Sequence, residues 1–329
     1  MITRRRMVMA LGASALTTAI TPGAMAQTTG VPRRIAILSG ASVESAGHFI
    51  DAFRAALKSL GYSEGRDIVI DIRWAENKLE RLPALIQDLL SYKPSIVVTH
   101  GSAGVVACQK ATSTVPIVFA TAGDPVGQGF IQSYRHPGGN ITGVAFNEEI
   151  NKKQYEIVKA ALPAASRIAT LVNVNNPAQK HHLDDIPRMA KALHFDSILV
   201  HATKEEELEA AFQAALKAKA HALIVSPLAP FSGLEKRLIE LQFKFRMPSF
   251  TGSQDWVPAG GLASYSFPTI ENWRRVAALA DKILKGASPA EIPVEIPTKY
   301  EVAINLQTAK TLGLKIPQGF LVRATKVIE

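Results

Sequence analysis

From residue 34 onward, short runs rich in Ile, Val and Leu alternate with longer runs whose apolar residues recur at helical spacing. That rhythm constrains the fold more than any other feature. Strand, helix and strand in succession build a parallel sheet with right-handed crossovers. Residues 34–38 read as the first strand. Residues 46–60 read as a helix with Phe49, Phe53, Ala56, Leu57 and Leu60 at helical spacing, ended by Gly61. Further strands are expected over 67–74, 95–99, 116–120 and 141–146, with helices over 79–92 and 103–112. The rhythm then restarts: a helix over 152–162, strands over 167–172, 197–201, 222–225 and 249–251, and helices over 180–193, 204–219 and 234–245. Two such arrays in tandem predict an α/β protein of two doubly wound, Rossmann-like parallel-sheet lobes. No residue-level repeat accompanies them, so the duplication is architectural.

After Gly260 and Gly261 the pattern changes. A strand over 262–266 and a helix over 272–285 precede an extended stretch studded with Pro289, Pro293 and Pro297. A strand over 300–304, a short helix over 306–312 and an extended tail follow, and such a tail can return to close one lobe. The length of 329 residues suits two domains of about 150 each. Cys108 is the single cysteine, so no disulfide forms within the chain and the core alone must hold the fold. Within its expected helix Cys108 reads as a small buried residue rather than a nucleophile.

The N-terminus carries an address. Arg4, Arg5 and Arg6 precede an apolar and small run from Met7 to Ile20, and Ala24-Met25-Ala26 supplies a small-residue exit. This predicts an export signal cleaved after Ala26, with the twin arginine favouring the Tat route. The run is too short for a span of roughly 20 apolar residues, and no cysteine follows it to take a lipid anchor. Cleavage lowers the net charge from +9 to +6, because three arginines leave and no acid does. The remaining basic residues are scattered without interleaved aromatics, so no nucleic-acid partner is expected.

In open parallel sheets, ligands bind beyond the carboxyl ends of the strands, where helix N-termini point their amides. The segments there are small, hydroxylated, amide-bearing or acidic. They offer Ser39, Gly40 and Ser42; Gly101 and Ser102; Thr121, Ala122 and Asp124; Asn175 and Asn176; Ser226; and Gln254 and Asp255. Each alone suits a helix cap or turn; together, two facing sets make a cleft. Ser39, Ser42, Gly101 and Ser102 are candidates to hold a carboxylate. Asp124 or Asp255 would pair with an ammonium, and Trp74, Trp256 and Tyr265 would form an apolar wall. Enzyme signatures are poor. A hydrolase elbow needs Gly where His100 stands, which weakens the alternative of an exported α/β hydrolase using Ser102 with His100. Neither a dinucleotide fingerprint nor a P-loop occurs. His181 and His182 are adjacent, so on a helix they point about 100° apart and share no metal. No cofactor and no metal are expected.

A series of short motifs carries a family resemblance. Leu60-Gly61-Tyr62, Arg73-Trp74-Ala75-Glu76, Thr114-Val115-Pro116-Ile117-Val118-Phe119, Gly123-Asp124-Pro125-Val126-Gly127 and Pro137-Gly138-Gly139-Asn140-Ile141-Thr142-Gly143 occur in the first half. Gly260-Gly261-Leu262, Asp281-Lys282-Ile283-Leu284, Pro297-Thr298-Lys299-Tyr300 and Leu312-Gly313-Leu314 follow toward the end. In these motifs and their order, residues 34–329 resemble the ABC-transporter substrate-binding proteins, the family that includes tryptophan/tyrosine-type binding components. The resemblance implies a type I periplasmic-binding-protein fold with a ligand in the cleft but does not fix that ligand; the strand-end residues point to a small polar molecule, an amino acid or a carboxylate-bearing aromatic compound, and the export signal to the periplasm. The resemblance also implies delivery to an ABC permease at the inner membrane, and a monomer is expected. The expected lobes are 33–145 with 267–296, and 146–266 with 297–329. Hinge crossings are expected near 143–147, 263–267 and 295–299. Arg135, Lys152 and Lys153 are candidates to face the permease. Ser264-Tyr265-Ser266-Phe267 stands where many members have Ser-Tyr-Gly, so the second crossing is expected to differ in shape.

Overall fold

The computed structural model describes residues 31–146, 150–174, 183–226, 231 and 233–329. The expected export signal, Asn175, Asn176, His181 and His182 lie outside the described residues.

The first sheet has five parallel strands in the order β2-β1-β3-β4-β5: β1 (Arg33–Ser39), β2 (Ile68–Trp74), β3 (Ile96–His100), β4 (Ile117–Ala122) and β5 (Ile141–Ala145). Both faces of this sheet are covered, which is why β1, β3, β4 and β5 are apolar almost without interruption, whereas β2 at the edge carries Asp71 and Arg73 and is only partly buried. On one face Ile35 and Ile37 pack under α1 (Val43–Ser59). On the other, Ala36 and Leu38 pack under α2 (Leu82–Ser91) and α3 (Gly101–Ala111).

The second sheet has seven strands, ordered β12-β11-β10-β9-β8-β6-β7. They are β6 (Arg167–Val172), β7 (Asp196–His201), β8 (Ala222–Val225), β9 (Ser249–Thr251), β10 (Ala263–Ser266), β11 (Glu301–Asn305) and β12 (Lys326–Ile328). Its two faces bury separate clusters. One lies under α4 (Ile150–Ala161), α5 (Asp185–Ala192), α9 (Leu306–Leu312) and α10 (Gln318–Leu321). The other lies under α6 (Leu208–Lys217) and α7 (Glu235–Lys244). One pairing departs from the parallel pattern: β11 runs antiparallel to β10. The chain reaches β11 through an extended stretch from the first sheet rather than through a covering helix, so it enters from the opposite end. The tail, expected as extended, instead makes one helical turn, α10, and pairs β12 in parallel with β11.

Three segments connect the sheets. The chain leaves after β5 and returns after β10 into α8 (Thr269–Leu284), which packs against α1 through Trp273, Val276, Ala277, Leu279, Ala280, Ile283 and Leu284. It leaves again past Glu295, whose amide donates to Gly143 O at 3.0 Å and whose carbonyl accepts from Ala145 N at 2.8 Å. Element boundaries moved where local chemistry overrides periodicity. A reciprocal cap between Ser42 and Ser45 starts α1 at Val43, three residues before the apolar pattern. Residues 79–81 form a tight 3₁₀ turn ahead of α2, whose second residue, Pro83, suits a helix start.

Candidate functional site

The loops beyond the carboxyl ends of both sheets face each other across a cavity of about 200 Å³. That is smaller than typical sites for drug-sized ligands, roughly 300–1,000 Å³.

The first-sheet wall is built by three strand ends. After β1, Ser39 Oγ accepts from the Ala41 amide at 3.2 Å. Ser42 Oγ accepts from Ser45 N at 3.4 Å, while Ser45 Oγ accepts from Ser42 N at 3.2 Å. Both expected hydroxyls thus shape the turn, and Gly40, Ala41, Ser45 and Phe49 line the cavity. After β3, Gly101 adopts φ +73° and α3 begins with no side-chain cap. The first-turn amides that a helix leaves unpaired therefore lie in the wall formed by Gly101, Ser102, Ala103 and Gly104. Ser102 Oγ accepts from Gln128 Nε2 at 3.1 Å. His100 also lines the cavity, its ring 6.1 Å from that of Trp273, and burial pushes its imidazole down to about 4, so it is neutral at neutral pH. At the end of β4 the register slips between Ala120 and Ala122. The bulge leaves Thr121 at φ +65°, with Oγ1 buried and without a hydrogen-bond partner among the described residues. A β-branched residue in that backbone region is a true outlier, and it lines the cavity.

The second-sheet wall differs in chemistry. Val225 and Ser226 close β8; Phe231, Glu235 and Leu238 follow; residues 251–256 supply the rest. Burial raises the Glu235 carboxyl above its ordinary range, with a smaller push from Asp255. Its Oε2 accepts from the Gly233 amide at 2.8 Å. Gln254 Oε1 accepts from the Thr269 amide at 3.2 Å, tying this wall to the start of α8. At the mouth, His48 Nε2 lies 3.7 Å from Asp255 Oδ2, one residue from each wall. Gly233, at φ +85°, sits so close that a Cβ there would fall 2.8 Å from Ser45 Cβ. Phe146, Phe267 and Thr269 complete the lining where the chain crosses between sheets.

Of the residues expected at a ligand, the structure therefore brings together Gly40, Gly101, Ser102, Thr121, Ser226, Gln254 and Asp255. Ser39, Ser42, Trp74, Ala122, Asp124 and Tyr265 stand outside the lining. Trp74 packs on the first-sheet core. Ala122 is in the core, and Asp124 Oδ1 accepts from Gly127 N at 2.7 Å, holding a turn. Tyr265 stacks on Tyr300 at 5.2 Å. Trp256 reaches the lining but is 1 % exposed, its Nε1 bonded to Ser249 O. Sequence reasoning did not mark Phe49, Phe146, Phe231, Phe267 or Glu235. Phe49 reads as part of an ordinary apolar helix face, and Glu235 as the acid that a helix's first turn favours. The available signal was position: Glu235 opens the helix that follows the polar end of β8. A second hollow of about 620 Å³ adjoins the first through Asn77, Leu79 and Ala103, with Lys110 and Lys204 on opposite sides.

A family model described as ABC transporter substrate binding protein matches residues 34–328. A curated relative, the tyrosine-binding protein of Clostridioides difficile, is 25% identical over 269 residues, covering 80% of this chain and 76% of its own. Among solved structures, the ABC domain in complex with L-Trp from Streptococcus pneumonia superposes with a TM-score of 0.83 at 22% identity, over 91% of this chain and 100% of that one. A conserved domain protein from Vibrio cholerae gives a TM-score of 0.85 at 22% identity, over 90% of this chain and 100% of that one.

Proposed function

Since the chain belongs to the family of ABC transporter substrate binding proteins, we propose that it captures a zwitterionic amino acid between its lobes and hands it to a membrane permease. One observation carries the reading: the cavity sets uncapped helix amides on one wall against a half-buried carboxylate on the other. The ligand carboxylate belongs at the start of α3, where the helix dipole and free amides favour an anion. Its ammonium belongs at Glu235, with Asp255 nearby, as a charge-assisted pair. Its side chain lies among Phe49, Phe146, Phe231 and Phe267, which favours an apolar or aromatic group. The names of the similar proteins, one tyrosine-binding and one holding L-Trp, support an aromatic amino acid.

The same reading gives an exported protein, cleaved after Ala26, acting as a monomer in the periplasm. The lobe assignment of 33–145 with 267–296, and 146–266 with 297–329, is supported by the packing of α8 on α1 and by the sheet order. Closure about the three crossings presents both lobe rims to the permease at one spacing, so that the loaded form is preferred through differential contacts. Arg135, Lys152 and Lys153 are the charges assigned to that encounter.

A thermal-shift screen of the twenty amino acids, sugars and divalent metals tests the ligand class. L-Tryptophan or L-tyrosine at 100 times its dissociation constant should add about 2.7 kcal/mol of stability. Shifts by sugars or metals alone would overturn the amino-acid reading. Uptake of the same amino acid by cells with and without the chain tests delivery, and equal uptake would remove the permease role.

A further inference from the structure

The three segments that join the sheets carry aromatic rings, and those rings meet. Phe146 follows β5, Tyr265 and Phe267 lie in and after β10, and Tyr300 precedes β11. Phe146 and Phe267 stack with centroids 6.3 Å apart and planes 8° from parallel. Tyr265 and Tyr300 stack at 5.2 Å and 6°. Phe267 meets Tyr300 edge-on, at 6.3 Å and 88°. With Ile150 these rings form a small core separate from the four that fill the lobes.

Two of the rings do double duty, since Phe146 and Phe267 also line the cavity. Phe146 is pressed from the first-lobe side as well. A Cβ on Gly123, just past the strained Thr121, would lie 2.4 Å from its Cζ. In each of these pairs the two rings ride on different crossings, so rotating one lobe against the other must shift one ring past its neighbour. Close-packed rings do not deform smoothly; they exchange between discrete arrangements.

We propose that Phe146 and Phe267 are positioning residues that couple cavity occupancy to the angle between the lobes. A planar ligand group resting on the cavity side of the pair extends the stack. It thereby favours the arrangement in which all three crossings are locked, which is the differential affinity that closure requires. An aliphatic side chain of similar size fills the space without continuing the stack and closes the lobes less completely. The inference rests on the reading of the cavity as an amino-acid site, but its hinge half concerns the chain alone.

The experiment uses spin labels on the exposed positions Asp51→Cys and Lys236→Cys, one per lobe, with buried Cys108 left in place. Without added ligand, the unsubstituted rings should give discrete inter-label distances, and Phe267→Leu or Phe146→Leu a continuous spread. Phe212→Leu, in a second-lobe core, should lower the melting temperature and leave the distances unchanged. Tyr300→Leu gives the same reading if Phe267→Leu does not fold. Calorimetry with L-tryptophan and L-leucine forms the second arm: the preference for tryptophan should fall about two- to tenfold in Phe267→Leu. Unchanged distances overturn the proposal whether or not any amino acid binds, and so does a broadened distribution with the preference intact. If L-tryptophan fails to bind the unsubstituted protein while the distances do broaden, the amino-acid reading falls and the hinge role stands.

Discussion

The two walls of the cavity are made by the same kind of strand end, yet they differ in charge. Among the described residues the first-sheet wall has no ionised side chain: its polar character comes from amides at the start of α3, a neutral His100 and the side chains of Ser45, Asn77, Ser102 and Thr121. The second-sheet wall holds Glu235 and Asp255. A zwitterion fits that asymmetry in one orientation only. Backbone amides hold a carboxylate without a buried cation, which would need its own compensation when the site is empty. Under the proposed closure, concentrating charge on one wall would bring together opposite partial charges instead of two carboxylate clusters.

The largest expected effect comes from forcing a charge onto the neutral wall. His100 titrates near 4 in the folded chain against an ordinary 6.5. The folded state therefore binds fewer protons, and stability is lost as pH falls from about 6.5 toward 4, by up to about 3 kcal/mol. Glu235, raised by burial, works in the opposite direction, since protonation favours its folded form. Denaturant unfolding of His100→Gln in a Glu235→Gln background should show a flatter acid limb than Glu235→Gln alone. Parallel limbs would show that His100 is already solvated.

Removing the charge from the acidic wall comes next. Glu235→Gln should weaken L-tryptophan binding about 10- to 150-fold, the loss of a charge-assisted bond of about 1.5–3 kcal/mol. Binding to the unsubstituted chain should weaken as acid protonates the raised carboxyl, whereas the variant should be flat with pH. Ser102→Ala, on the amide wall, should change affinity less than about twofold, because the donors there are backbone. Equal losses in the two variants would erase the asymmetry between the walls.

A smaller effect is expected where the walls touch. Gly233→Ala places a Cβ 2.8 Å from Ser45 Cβ and forces φ +85° on alanine. Affinity should fall about tenfold, as expected for strain of about 1–2 kcal/mol. Adding Ser45→Gly should recover the affinity, while the backbone strain, common to the free and bound forms, remains as a lowered melting temperature; calorimetry and thermal unfolding of the pair separate them. No recovery would mean that the walls stand apart in the bound form. A smaller effect again belongs to the His48–Asp255 contact, which is half-exposed at the mouth. Asp255→Asn should cost less than about fivefold in affinity and nothing in 1 M salt. A larger, salt-resistant loss would put Asp255 on the ligand itself.

What could be read from the sequence follows the same division. Most of the first-sheet strands were legible because both faces are buried and the apolar runs are continuous, and β2 at the edge was legible from the alternation of Ile68, Ile70 and Ile72 with Asp71 and Arg73. Gly101 and Ser102 were legible because a polar pair between a strand and a helix has few other places to be. Ser39, Ser42 and Asp124 carry the same composition, yet their side chains build turns rather than the cavity wall. One-dimensional pattern does not separate a cap from a lining residue, since both demand a small polar group. The antiparallel entry of β11 was illegible because it depends on where the chain comes from. Phe146, Phe267 and Tyr300 were missed for a related reason: Phe146 meets Phe267 from more than a hundred positions away, and Phe267 meets Tyr300 across the whole of α8.

The packing of α8 against α1 sets a schedule as well as a structure. When the ribosome has finished α1 at Ser59, the helix that covers its apolar face is still 210 residues away at Thr269. At about 5–20 residues per second, Phe53, Leu57 and their neighbours wait roughly 10–40 s for Trp273 and Val276. Stalled chains ending at residue 266 should leave α1 open to protease, and chains ending past residue 286 should protect it. A nascent chain of this kind spends most of its synthesis time with a sticky surface exposed. Covering that face during the interval would spare the chain from aggregation until α8 arrives.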